Sequence, residues 1–211
     1  VAPSRGLGDV YKRQGLTLKE LCRNKVFWLF MLMMLGAGAA ENTVSQWASA
    51  FAEEGLGVTK TVGDLAGPMA FAALMGTARL IYGKWGHKLH LEKCMLGSSL
   101  LCVAAYLAIA LVPNPLLSLV GCAVCGFSVG ILWPGTFSKG SAAIPKGGTV
   151  MFALFALAGD LGCSAGPTLA GMVTRVCDGN MRRGILAGIV FPLLLVLCLV
   201  FGKKRKAAAG N

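Results

Sequence analysis

Long apolar runs alternate with short polar loops along almost the whole chain. The runs cover about 26–51, 62–82, 94–112, 116–141, 149–176 and 184–201. A helix needs about 20 mainly apolar residues to cross the hydrocarbon core of a bilayer, and a spanning segment in lipid must satisfy its own backbone groups. Each run therefore predicts a transmembrane helix. The expected fold class is an all-α integral membrane protein, with six transmembrane helices over residues 26–201. A short amphipathic, basic linker at 15–25 leads into the first span, and a basic tail at 202–211 comes after the last. An even number of crossings puts both ends on one side. Pro113, Asn114 and Pro115 mark a tight turn between the third and fourth spans.

Lys and Arg in the short loops decide which side that is. One face collects Lys19, Arg23, Lys25, Lys84, Lys88, Lys93, Lys139, Lys146, Lys203, Lys204, Arg205 and Lys206, twelve cations; the other has Lys60, Arg175, Arg182 and Arg183, only four. The richer face, holding both ends, is expected to be cytoplasmic, and the location expected is the plasma membrane. Trp28, Tyr82 and Trp85 fall near that boundary, where amphipathic rings anchor. The run KKRK at 203–206 reads as a stop-transfer anchor on an anionic leaflet.

Composition agrees with this class. Of 211 residues 55% are hydrophobic and 14% charged, with a mean hydropathy of +0.68; a soluble domain has about 45–50% and about 25%. The formal charge of +11 is scattered between apolar runs and forms no single patch, so no nucleic-acid partner is expected. Residues 1–14 are polar and unlike the remainder of the chain. Within them RGLGDVYKRQ, residues 5–14, resembles the translation of a transposase adapter used to prepare sequencing libraries. That tract is expected to be a cloning or assembly artefact, with the natural protein truncated upstream at or before Gly15. Without Arg5, Lys12, Arg13 and Asp9, three cations and one anion fewer, the charge is +9.

Candidate chemistry begins with Asp160, a carboxylate inside the fifth run. Placing an acid at a helix centre costs about 2.5–3.5 kcal/mol on insertion scales, so such residues face a protein interior or a wet cavity. About 16 Å of helix from Thr149 puts it near the midplane. At 100° per residue Asp160, Ser164 and Thr168 share one face, while Gly162, Gly166 and Ala170 lie nearly opposite, in the small-xxx-small form that lets helices approach closely in lipid. Pro167 weakens the backbone ladder between the two stripes. The plainer alternative is a polar residue satisfied by a neighbouring helix.

In the first span Glu41, Ser45 and Ser49 recur every four residues, with Asn42 and Gln46 beside them and Trp47 nearby. Such a face suits a hydroxylated solute, or else an interhelical polar cluster. Glu41 is expected in the outer third, about 22 Å from Val26. In the fourth span Pro134-Gly135 breaks the helix, and Trp133 and Phe137 beside the break can stack on a solute or simply pack. Arg79, one turn before the cytoplasmic end of its span, can snorkel to the interface. The eight cysteines sit mostly in apolar runs; Cys122 and Cys125 form a lone C-x-x-C with no further ligands, so packing is the better reading and neither metal nor cofactor is expected.

Three segments together resemble the major facilitator superfamily. GTAR at 76–79 through GKWGHK at 83–88 is similar to that family's loop signature between helices eight and nine, carried here by Gly76, Arg79, Gly83, Lys84 and Lys88; GILWPGTFS at 130–138 and GDLG at 159–162 through Gly166-Pro167 add to it. The resemblance implies the C-terminal half, helices seven to twelve, of a twelve-helix fold. The runs ENTVSQW and LWPGTFS look most like the fucose-permease-like branch. In the usual signature an Asp precedes the basic residue, but here His87 precedes Lys88, which puts in question a charge-paired latch built on that Asp. The resemblance implies a secondary transporter, not an enzyme, working by alternating access about a midplane site. Its partners would be a small polar solute, with a sugar as one candidate, together with protons, the bilayer and a missing N-terminal half. Asp160 or Glu41 would take the proton. The competing class is a non-transporting polytopic sensor or scaffold, whose polar residues only hold helices together.

Overall fold

A computed structural model describes residues 15–56, 59–86 and 88–209. The tract at 1–14 and His87 lie outside the described residues. Among the described residues all regular structure is helical: α1 Leu18–Arg23, α2 Lys25–Leu56, α3 Lys60–Trp85, α4 Leu91–Leu111, α5 Pro115–Val129, α6 Leu132–Ala143, α7 Gly148–Val176, α8 Met181–Gly188 and α9 Val190–Ala209.

Five stretches among the described residues are long and apolar enough to cross a membrane: Lys25–Ser49, Leu91–Leu111, Leu116–Ala143, Gly148–Val176 and Met181–Gly202. The chain is thus a multi-pass membrane protein. The expected second span corresponds to α3, which is long enough at 26 residues but is not one of the five.

The linker expected at 15–25 is a docked element. Thr17 and Glu20 form a capping box that starts α1, and Leu21 is fully buried. The Thr17 backbone N–H, and then its hydroxyl, hold the Glu20 carboxyl below the usual carboxylate range. The Leu16 backbone N–H donates to the Lys146 carbonyl at 2.7 Å, tying this lead to the start of α7.

Proline explains where spans break. Its ring excludes the carbonyl four residues earlier and it cannot donate to it. Pro134 lies four residues after Gly130, where α5 gives way to α6, and Pro192 lies four after Gly188, where α8 gives way to α9. At the N-terminus of α5, Asn114 accepts from the Leu116 and Leu117 N–H groups with Pro115 in the first turn. Arg182 donates to the Ile109 and Val112 carbonyls, covering the end of α4.

The central helix is α2, which packs against α7 most extensively and also against α3, α5, α6 and α9. Its run Leu35–Ala40 is mostly Gly and Ala, and Met33, Met34, Ala37, Ala39 and Ala40 are almost wholly buried. α2 and α7 run parallel along a seam of small residues. A Cβ at Gly38 would collide with the Gly159 carbonyl, one at Gly162 with the Leu35 carbonyl, and one at Gly166 with Ala39 and Thr43. These helices touch backbone to backbone, which is how association is driven where apolar burial contributes little.

Pro167 sits inside α7 on this seam without breaking the helix. It leaves the Cys163 carbonyl without its usual donor, and the Asn42 amide of α2 donates to that carbonyl at 2.7 Å. The Asn42 carbonyl in turn accepts from the Ser45 hydroxyl at 3.3 Å. Asn42 therefore repairs a proline defect across the seam. Asn42→Ala is expected to cost about 1–2 kcal/mol. In the Pro167→Ala background, where residue 167 regains its N–H, the same change should cost less than half as much. Thermal unfolding of the four proteins of this cycle in detergent measures it, and additive effects would refute the pairing.

Candidate functional site

The α2–α7 seam fixes relative level. Gly162 meets Leu35 and Ala39, and Gly166 meets Ala39 and Thr43, so Glu41 stands about one helical turn beyond Asp160 along this parallel pair. Counting from the helix starts gives the same order, with about 24 Å of helix before Glu41 in α2 and about 18 Å before Asp160 in α7. The Cys163 thiol lies within electrostatic range of both carboxylates.

The two acids differ in surroundings. Glu41 is partly buried and its Oε2 is 3.6 Å from Nη2 of Arg79, a loose ion pair with side-chain exposures of 22% and 45%. At that distance it is not a hydrogen bond, and the same Oε2 is buried without a hydrogen-bond partner among the described residues. Asp160 is exposed, on the stripe with Ser164 and Thr168. The Ser164 and Thr168 hydroxyls donate back to the Asp160 and Ser164 carbonyls at 3.3 and 2.7 Å. The opposite stripe, Gly162, Gly166 and Ala170, is buried.

Arg79 reaches Glu41 because of the register between α2 and the antiparallel α3. A Cβ at Gly67 would collide with the Ala48 carbonyl, so the level of Glu41 falls near residue 74. Arg79 lies about 7.5 Å farther along α3, which its long side chain spans. It points into the bundle, toward Glu41, where the sequence alone allowed a snorkelling cation.

Trp133 belongs to the same region. Its ring lies against Gly159, where a Cβ would collide with it, and its indole N–H is buried without an acceptor among the described residues. Phe137 is turned toward an aromatic cluster: its ring centroid is 6.3 Å from Trp133, 5.8 Å from Phe152 and 6.3 Å from Phe155. Phe155 in turn stacks on Phe27 at 5.6 Å. Phe137 thus links the Trp133 ring to the core. Gln46 is exposed, one turn beyond Asn42, and Asn42 itself is engaged in the seam.

The loop-signature residues other than Arg79 stand apart from this group. Gly76 and Gly83 face open space, where an added Cβ would meet nothing within 4 Å. The Lys84 ammonium sits 4.8 Å from the centre of the Trp85 ring, and Lys88 is exposed, its backbone N–H donating to the Trp85 carbonyl at 2.9 Å.

Sequence reasoning missed Cys163, whose carbonyl and thiol both sit at the centre of the group. Pro167 was the available signal, since it names Cys163 as the residue with an orphaned carbonyl. It also missed the Glu41–Arg79 pair, for which opposite charges within neighbouring spans were the hint. Among the described residues no cluster of three or more His, Cys, Asp or Glu could hold a metal. The Cys102 and Cys125 sulfurs lie 3.8 Å apart in the core between α4 and α5.

The arrangement is a group of two carboxylates on packed helices, one guanidinium, an indole and exposed polar side chains, mounted on helices of a membrane bundle. The family model described as Major Facilitator Superfamily matches residues 2–167, a stretch that includes Glu41, Arg79, Trp133 and Asp160. No curated protein and no solved structure matches the chain. Members of this family are transporters rather than enzymes. With its all-helical, membrane-spanning fold and a family match over most of its length, the chain belongs to the major facilitator superfamily of membrane transporters.

Proposed function

We propose that this chain is the C-terminal, six-helix half of a proton-coupled symporter for a small hydroxylated solute, with a sugar as the leading class and the fucose-permease-like branch as its nearest type. On this reading α3 is the sixth span, both ends are cytoplasmic and the membrane is the plasma membrane. The two halves rock about a midplane site.

The observation that carries the reading is the unequal treatment of two neighbouring carboxylates on packed helices. Glu41 has a counterion in Arg79, whereas exposed Asp160 has none among the described residues. Closing a cavity over an uncompensated carboxylate carries the cost of a charge at membrane depth, about 2.5–3.5 kcal/mol on insertion scales. Protonating Asp160 removes that cost, so closure is linked to proton uptake. Opening to the cytoplasm rehydrates the carboxyl and releases the proton. Arg79 and Glu41 hold α3 to α2 through the cycle. Gln46 and the Trp133 indole N–H supply polar contacts to the solute, and the Trp133 ring a stacking plane.

Two outcomes are expected for the intact protein. Asp160→Asn should exchange labelled solute across the membrane at rates within about 10-fold of the parent but lose pH-driven accumulation, each 1.4 kcal/mol of lost coupling being tenfold. Unchanged accumulation at two external pH values would remove Asp160 from the role, and a panel of sugars and other small polar solutes tests the substrate class. Glu41→Gln and Arg79→Gln should each lower the yield and thermal stability of folded protein, and the double variant should recover about 1 kcal/mol relative to their sum. Strict additivity in that cycle would mean that the pair does not form.

A further inference from the structure

Where α2 begins and the apolar part of α9 ends, α2, α4, α6 and α9 leave a cleft of about 490 Å³. That volume is within the range of about 300–1,000 Å³ typical of small-molecule sites. Its walls include Leu29, Phe30, Met33, Ala143 and Leu199. From Val26 to Met33 it runs about 10 Å along α2. It is distinct from the candidate transport site, since Met33, its lining residue nearest that site on α2, precedes Glu41 by about 12 Å of helix.

Polar groups stand only at the outer end. Lys139 of α6 donates to Glu92 of α4 at 2.7 Å, and both line the cleft. The pair joins the start of one helix to the last turns of another. Cations outnumber that carboxylate beside the opening: exposed Lys25 precedes the lining residue Val26 and exposed Lys93 follows Glu92. α4 and α9 also carry exposed leucines, Leu100 and Leu197, so these two walls belong to helices with apolar outer faces.

We propose that this cleft binds one anionic phospholipid, with an acyl chain between α2 and α9 and the phosphate at the Lys139 end. An apolar slot closed by a net positive lip matches an amphiphile with an anionic head. Basic pockets between transmembrane helices are suited to such headgroups. The Lys139–Glu92 pair keeps one ammonium fixed at the opening, and the flanking lysines supply the excess charge that selects an anionic head over a zwitterionic one. A bound lipid would bridge the first and last spans of the chain at this end.

The test uses the intact protein in mild detergent, titrated with phosphatidylglycerol or phosphatidylcholine of identical acyl chains, with bound lipid counted by native mass spectrometry. One phosphatidylglycerol should be retained with about 10-fold preference over phosphatidylcholine, in line with a few interfacial cations at about 1 kcal/mol each. Ala143→Trp, which fills the slot, should lower phosphatidylglycerol retention about 10-fold. Lys139→Gln, which leaves the slot open, should lower the headgroup preference about 5-fold, one interfacial cation at about 1 kcal/mol, and leave phosphatidylcholine binding as it was. Equal retention of the two lipids by the parent, or parent-like phosphatidylglycerol binding by Ala143→Trp, would overturn the proposal. Should Ala143→Trp fail to fold, an undiminished preference in Lys139→Gln overturns it equally.

Discussion

The bundle depends on α2 and α7 touching through their backbones. In lipid, a leucine gains little by moving from acyl chains to another helix, so close van der Waals contact and interhelical hydrogen bonds must supply the attraction. Gly38 on one helix and Gly159, Gly162 and Gly166 on the other remove the side chains that would keep the axes apart. The same closeness brings Asn42 within reach of the Cys163 carbonyl. A proline inside a spanning helix would otherwise leave a polar group unpaired in an apolar setting, a cost of about 1–3 kcal/mol. Here the defect becomes a bond between two helices.

From that seam the candidate site arises. Because α2 and α7 are parallel and locked in register, Glu41 and Asp160 come within about one helical turn of each other's level although they lie more than a hundred residues apart in the chain. Because the small stripe of α7 faces inward, its polar stripe is exposed. The antiparallel α3 then brings Arg79 to Glu41 and to no other described carboxylate. Charge is thus balanced on one acid, and the other has no counterion among the described residues.

Much of this is written in the spacing of residues. Apolar runs of sufficient length locate the helices, and angular arithmetic alone separates Gly162, Gly166 and Ala170 from Asp160, Ser164 and Thr168, the first set buried and the second largely exposed. The break ahead of Pro134 stems from the missing donor. Tertiary register is what spacing does not contain. Where Gly162 and Gly166 meet α2 decides the level of Glu41 relative to Asp160, and where Gly67 meets Ala48 decides what Arg79 can touch. Both are set by close contacts between glycines and backbone on partner helices. α3 was legible as a helix, but not that its Arg79 would reach Glu41.

The interruption at Gly130 has a mechanical corollary. Below it α6 is a rod of 12 residues carrying Trp133 near one end and Lys139 toward the other. The indole rests on the backbone beside Asp160, while the ammonium grips α4 through Glu92. A tilt of that rod about its upper joint would swing Lys139, about 9 Å farther along than Trp133, more than the ring, so the grip on Glu92 is what restrains it.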